Sequence, residues 1–258
     1  MDFLTLTTTC CQIDIKRLFE NGFSTGHGVL RSPNSISVYA ALACIAIQSN
    51  QNDQHGGQAI PNFDYGMAPG VAKSYIKHFY HNLAKAISLL ENIDGEKIAA
   101  TIKNKLVLKP TLDNNEEFNN AIKTELLNKN IKNIDKIIEF SNKTAYQETD
   151  EETYQAMEAF IHNLNTMHSR AGAQVPFSSI NYGMDTSSEG RMVMKNVLLA
   201  TETGLGHGET PIFPIQIFRV KEGINYNEGE PNYDLFKLAC KTSAKRLFPN
   251  FSFVDAPF

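Results

Sequence analysis

Residues 173–220 read AQVPFSSINYGMDTSSEGRMVMKNVLLATETGLGHGETPIFPIQIFRV. Three elements follow one another in this stretch. AQVPFSSINYG is a short strand-like run ending at Gly183. TSSEGRMVMKNVLLATETG has apolar residues at helical spacing, and Thr186 with Glu189 fits a capping box at its start. TPIFPIQIFRV is a second strand. The Gly-rich GLGHGETP between helix and strand follows a helix rather than preceding one and has no Walker lysine. It reads as a helix C-cap and turn. Working outward, NYDLFKLACKTSAKRLF (232–248) is another helix and FSFVDAPF (251–258) begins another strand. Upstream, DEETYQAMEAFIHNLNTMHSR (150–170) predicts a helix with its acids in the first turn, where the macrodipole favours them. Strands alternating with helices predict an α/β fold with parallel strands.

The N-terminal side extends the pattern. Phe3–Asp14 reads as a strand, with Cys10 and Cys11 adjacent inside it. IKRLFE is a short amphipathic turn, and a helix follows from about Ser35 to Ser49. Residues 51–70, QNDQHGGQAIPNFDYGMAPG, read as a polar loop, and a second helix is expected over Val71–Glu91. The Lys-, Asn- and Glu-rich stretch Glu96–Asn142 predicts two surface helices. We expect a single domain over 1–258 in three segments: 1–95, 96–147 and 148–258.

Composition excludes several classes. Twenty-four basic against 28 acidic residues leave a net charge of -4, with no basic stripe for a nucleic acid. The longest apolar run, Tyr39–Ile47, is too short to span a membrane. MDFLTL lacks the features of a signal peptide. Four cysteines (10, 11, 44 and 240) without a Cys-x-x-Cys pair make neither a disulfide framework nor a zinc site. A reducing, cytoplasmic setting is expected.

Four blocks carry a family likeness: TTTCCQIDIKRLFENGF, IAIQSNQNDQHGGQAIPNFDYGMA, GRMVMKNVLLATETGLGHGETPIFPIQIFRVKEG and PNYDLFKLACKTSAKRLFPNFSFVDAPF. In this order they resemble the anaerobic (class III) ribonucleoside-triphosphate reductases, which are glycyl radical enzymes. The resemblance implies a ten-stranded α/β barrel of two parallel half-sheets, here only its front part. It implies reduction of ribonucleoside triphosphates by thiyl and glycyl radical chemistry. It further implies deoxynucleotide or ATP effectors, a homodimer, a radical-SAM activating protein, and formate or a dithiol protein as reductant. The family's thiyl cysteine, glycyl radical motif and structural zinc site have no counterpart in this sequence. No cofactor is therefore expected on this chain, and the chain alone is expected to be inactive. Cys44 and Cys240 are expected at core positions of helices and cannot replace the thiyl residue.

The resemblance also places site residues. A family block like Cys-x-x-Ile-Asp, ending here at Asp14, puts the reducing cysteine at Cys10. Residue types alone leave open whether both thiols are structural. Strand alternation allows only one of the two on the inner face, so Cys11 is expected to pack against helices. Thr9, Thr186, Ser187 and Ser188 are candidates for the substrate, the last three as an anion site at a helix N-terminus. Simple capping by Thr186 is the alternative. Gln51, Gln54, His55, Gly56, Gly57 and Gln58 are candidates for the effector, since amides can read bases and glycines admit close approach. An ordinary polar loop is the alternative there. His78 and His81, three apart on a helix, read as a solvated or packed pair rather than a metal site. Two other functions stay open: a glycyl radical enzyme of acyl-lyase type, and a non-catalytic nucleotide-binding or dimerising remnant.

Overall fold

The computed structural model describes residues 10–54, 56–113, 116–168 and 174–257. Among these, five parallel strands form the main sheet. β1 (Cys11–Gln12), β4 (Gln58–Ile60), β5 (Ser178–Tyr182), β6 (Ile215–Val220) and β7 (Asn250–Phe253) lie side by side in that order. Every pairing is parallel, as the strand–helix alternation requires. The connections hold α1 (Ile15–Asn21), the hairpin β2 (Phe23–Ser24) with β3 (Val29–Leu30), α2 (Ile36–Asp53), α3 (Phe63–Glu91), α4 (Gly95–Lys105), α5 (Glu116–Leu127), α6 (Ile134–Thr166), α7 (Ser188–Thr203) and α8 (Tyr233–Arg246). No helix among the described residues is long and apolar enough to cross a membrane.

The chain divides into two compact units, Met1–Gly70 with Thr153–Phe258, and Val71–Glu152. In the first unit the sheet has two unlike faces. Ile60, Ile180, Tyr182, Phe218 and Val220 are buried on one face with Gln58, Ser178 and Gln216. Its polar groups are bonded inside: Tyr182 donates to Gln216 at 2.7 Å, and Gln216 donates to Thr201 of α7 at 2.7 Å. The register puts Gln12, Ala59, Ser179 and Ile215 in one row of the other face, followed by Asn181, Ile217 and Asn250, then Arg219 and Ser252. This second face is open and carries mostly small or polar side chains. A sheet covered on one side only is what half of a closed barrel presents.

Several boundaries differ from the sequence reading, each for a local reason. The turn IKRLFE is a helix, because Asp14 accepts the Arg17 N–H at 3.2 Å and caps it. The expected loop 51–70 is mostly regular structure. α2 runs on to Asp53, Gln58–Ile60 is β4, and α3 begins at Phe63 rather than Val71. Gly66 and Gly70 serve close packing of α3, not a turn. A Cβ on Gly66 would lie 2.5 Å from Ile15, and one on Gly70 would lie 2.8 Å from the Tyr39 ring. The helix expected from Asp150 instead starts at Ile134, so its acids fall mid-helix.

The second unit contains α4, α5 and parts of α3 and α6, with a core of Phe79, Leu83, Ile87, Ile102, Phe118, Ile122, Leu126 and Ile137. His78 lies 3.2 Å from Glu148 and 2.8 Å from Glu152, so these acids meet a partner on α3 rather than a helix dipole. His81 is exposed. No group of three or more metal-ligating side chains occurs among the described residues.

Candidate functional site

In an open parallel sheet, ligands bind beyond the carboxyl ends of the strands. Here those ends gather a polar cluster. α3 enters after β4 with Asp64 fully buried. One Asp64 oxygen accepts three successive N–H groups from the end of β5: Gly183 and Met184 at 2.9 Å and Asp185 at 3.1 Å. The carbonyls of the same turn are held from the other side. Asn225 and Asn232 donate to Gly183, Asn232 donates to Asp185, and the Tyr65 hydroxyl donates to Met184. On the open face Arg219 donates to Asn62 at 3.0 Å. A cavity of about 530 Å³ opens over the ends of β1 and β4, lined by Gln12, Asp14, Lys16, Asn62 and Tyr65 among others.

This turn sets the start of α7. Ser187, not Thr186, is the N-cap and accepts the Gly190 N–H at 3.1 Å. Asp185 accepts the Ser187 N–H at 2.9 Å, which shifts the cap one residue from the expected box. Gly190 makes this possible, since a Cβ there would lie 2.3 Å from the Asp185 carboxylate. Thr186 and Ser187 are exposed and Ser188 is half-buried. Two hydroxyl-bearing residues thus stand at the surface of a helix start that already caps itself. The other end of α7 is closed by Gly204 at φ 84°, as the sequence suggests. It is also closed by Arg246, which donates to the carbonyls of Glu202, Thr203 and Gly208 at 2.9, 2.8 and 2.6 Å.

Burial raises the Asp185 carboxyl above its ordinary 3.8, helped by the Asp64 charge and opposed by hydrogen bonds from Ser187. Burial, Asp185 and Asp64 raise the Tyr65 hydroxyl, with Arg219 opposing. A carboxyl raised on folding binds its proton more tightly in the folded state. Its contribution is therefore present below the unfolded pKa and is lost as pH rises through the folded value. Asp185→Asn should gain stability relative to the wild type as pH rises from about 4 to about 7. Urea midpoints across that range check this, and a pH-independent difference would contradict it.

The other predicted residues fall as follows. Thr9 and His55 lie outside the described residues. Cys10 is exposed and Cys11 half-buried. Strand alternation, continued one residue back from β1, puts Cys10 on the open Gln12 side. Cys11 is on the covered side but is not sealed in. It lines a cavity of about 740 Å³ with Arg17, Ser24, Asn50 and Asp53 among others. Cys44 is buried in α2 as expected, and burial pushes its thiol up to about 12. Cys240 is exposed on α8, contrary to the expected core position, because Leu235, Ala239 and Thr242 form that helix's buried side.

The effector candidates separate. Gln51 lies within α2 and is buried, and Gln58 is buried in β4 with its oxygen accepting from Asn50. Gln54 and Gly57 are half-buried and Gly56 is exposed. The Gly57 carbonyl accepts the Cys11 N–H at 3.0 Å, which ties this segment to β1. The roles of Asp64, Asn225 and Asn232 at the Gly183–Asp185 turn were not legible, since nothing local marks a side chain that bonds a turn over forty residues away.

The fold and this cluster define a parallel α/β half-barrel with a polar crevice at its strand ends. The family model of the anaerobic ribonucleoside-triphosphate reductases matches residues 1–257, and the chain belongs to that family. It is similar to the anaerobic ribonucleoside-triphosphate reductase of Enterobacteria phage T4, at 29% identity over 94% of this chain and 32% of that protein. The Escherichia coli K12 relative of the same name is 28% identical over 93% of this chain and 27% of its own length. The chain thus spans about a third or less of these relatives. The anaerobic ribonucleotide reductase of Thermotoga maritima, solved with dATP and CTP, shares the fold. Its TM-score is 0.51 at 13% identity, over 97% of this chain and 34% of that one.

Proposed function

We propose that this chain supplies the barrel segment bearing the reducing cysteine of an enzyme that converts ribonucleoside triphosphates to deoxyribonucleoside triphosphates. The observation that carries this reading is a family match over the whole sheet, whose open face begins beside Cys10. The reaction replaces the 2' hydroxyl by hydrogen and releases water. It consumes two electrons, from formate becoming carbon dioxide or from a dithiol becoming a disulfide. We assign to these residues neither radical initiation nor the zinc of the family, and the activating radical-SAM protein is a separate partner in this reading. The chain's own part is to hold the ribose against the open face, present the Cys10 thiol as hydrogen donor, and seat the triphosphate near Thr186–Ser188. Thr9, next to the thiol, is a further substrate contact. The test is a chimera in which this chain replaces its matching third of the phage T4 relative. Anaerobic formation of dCTP from CTP supports the reading, and a folded, activated but inert chimera overturns it.

Regulation follows the same reading. α2 is apolar on its outer side too: Val38, Ala41 and Ile45 are exposed at a three- and four-residue spacing. We assign this stripe to a homodimer contact. Gln54, Gly56 and Gly57 remain the exposed or half-buried described residues for a deoxynucleotide or ATP effector. A ligand held between subunits favours the dimer. Deoxynucleoside triphosphates should therefore raise the sedimentation coefficient of the folded chain, and Ile45→Glu should remove the effect. Sedimentation indifferent to every deoxynucleotide would remove this assignment.

A further inference from the structure

We propose that Asp64 is a positioning residue of the substrate site, fixing the Gly183–Asp185 turn from which α7 springs. The inference rests on the reading that the triphosphate is seated near Thr186–Ser188. Three successive amide N–H groups pointing at one oxygen form a concave cradle of the kind that binds anions. Here the chain fills the cradle itself, with a carboxylate 119 to 121 residues away in sequence. The turn is thereby closed to outside anions and becomes a frame. Its amides are taken by Asp64 and its carbonyls by Asn225, Asn232 and Tyr65.

The frame controls two features of the crevice. Asp185 comes directly from it and caps Ser187, so the direction of the first turn of α7 is set there. Asn225 also bridges the Gly183 and Arg219 carbonyls at 2.8 and 2.9 Å, so the same turn is tied to the backbone of Arg219 near the end of β6. Asp64 itself is fully buried. It acts through the groups it holds.

Charge and position predict opposite effects, which makes the proposal testable. A buried negative charge near a polyanion repels it, so if charge alone mattered, removing that charge would tighten triphosphate binding. A positioning role predicts the reverse. Asp64→Asn is nearly isosteric, but its neutral carbonyl is a weaker acceptor for the three turn amides, and its NH2 then opposes the Tyr65 N–H that the other Asp64 oxygen accepts at 3.0 Å. The affinity of the full chain for CTP is measured by titration calorimetry. Amide hydrogen exchange at Gly183, Met184 and Asp185 is measured in parallel. We expect Asp64→Asn to weaken CTP at least tenfold and to speed exchange at these three amides at least tenfold, with the rest of the exchange pattern kept. CTP bound as tightly as before or tighter, with the turn loosened, overturns the proposal. Unchanged exchange at the turn also overturns it. The double variant Thr186→Val, Ser188→Ala tests the underlying reading separately. If CTP affinity is unchanged there, that site assignment fails and the Asp64 inference falls with it. If the double variant weakens CTP and Asp64→Asn does not, only the Asp64 inference fails. Should Asp64→Asn not fold, Asn225→Ala loosens the same turn from its carbonyl side, with the same outcomes expected.

Discussion

Cys10→Ser is expected to abolish ribonucleotide reduction in an assembly that supplies the rest of the barrel, while Cys11→Ser keeps most of it. Radical reduction needs a thiol aimed at the ribose, and neighbouring strand residues point to opposite sides of the sheet. Cys11 is committed to the covered side by its pairing with Gln58 and by its N–H bond to Gly57. That leaves Cys10 for the open face. A serine hydroxyl is close in size to a thiol, so CTP binding should survive in Cys10→Ser. Its O–H bond is too strong to give up a hydrogen atom as a thiol does, so turnover should fall below detection. Cys11 borders an open cavity rather than a sealed core, so Cys11→Ser should cost only about 1 kcal/mol or less. Anaerobic turnover of CTP and thermal unfolding of both variants check the pair. An inactive Cys11→Ser with an active Cys10→Ser would mean the faces are inverted. Two active variants would remove the reducing role from this strand and favour a non-catalytic chain.

Gly183→Ala should be among the most damaging single-methyl changes in the first unit. Gly183 has φ 125°, where side chains are strongly disfavoured. A Cβ there would also lie 2.5 Å from the Arg219 carbonyl oxygen and 3.0 Å from its nitrogen. Both atoms are backbone of the neighbouring strand, so no rotamer change relieves the contact. The same residue gives its N–H to Asp64 and its carbonyl to Asn225 and Asn232. Backbone strain and lost buried hydrogen bonds together should cost about 3 kcal/mol or more. Denaturant unfolding measures this directly. A Gly183→Ala chain within about 1 kcal/mol of the wild type would show that the strand end is not the rigid frame described.

Much of the architecture was legible in the sequence, and the reasons are local. Periodicity places β5, α7, β6, α8 and β7 because each is a short element whose apolar pattern has one period. Ser35 caps α2, and its hydroxyl accepts the Val38 N–H at 3.5 Å, as a serine before a helical apolar run predicts. The Cys10–Asp14 block and its companions identify the family because they are matched in order, whatever their exact secondary structure.

Other features were decided only by tertiary contact. Gly66 and Gly70 read as loop residues, because clustered glycine and proline signal turns. They lie inside α3, where packing on Ile15 and Tyr39 requires the missing side chains. Gln51 and Gln58 read as amides of a polar loop. Both are buried, because α2 continues to Asp53 and β4 starts at once after the short connection. The expected cap at Thr186 moved to Ser187, because Asp185 took the Ser187 N–H. Asp64 carried no signal of this role, since the three turn amides it holds lie 119 to 121 residues away. By itself the sequence determined the order of elements, the parallel topology and the family, because these follow from local periodicity and matched motifs. Only the folded chain decided which polar groups are used up holding the strand ends and which face the crevice. A buried hydrogen bond between distant residues leaves no pattern in either segment.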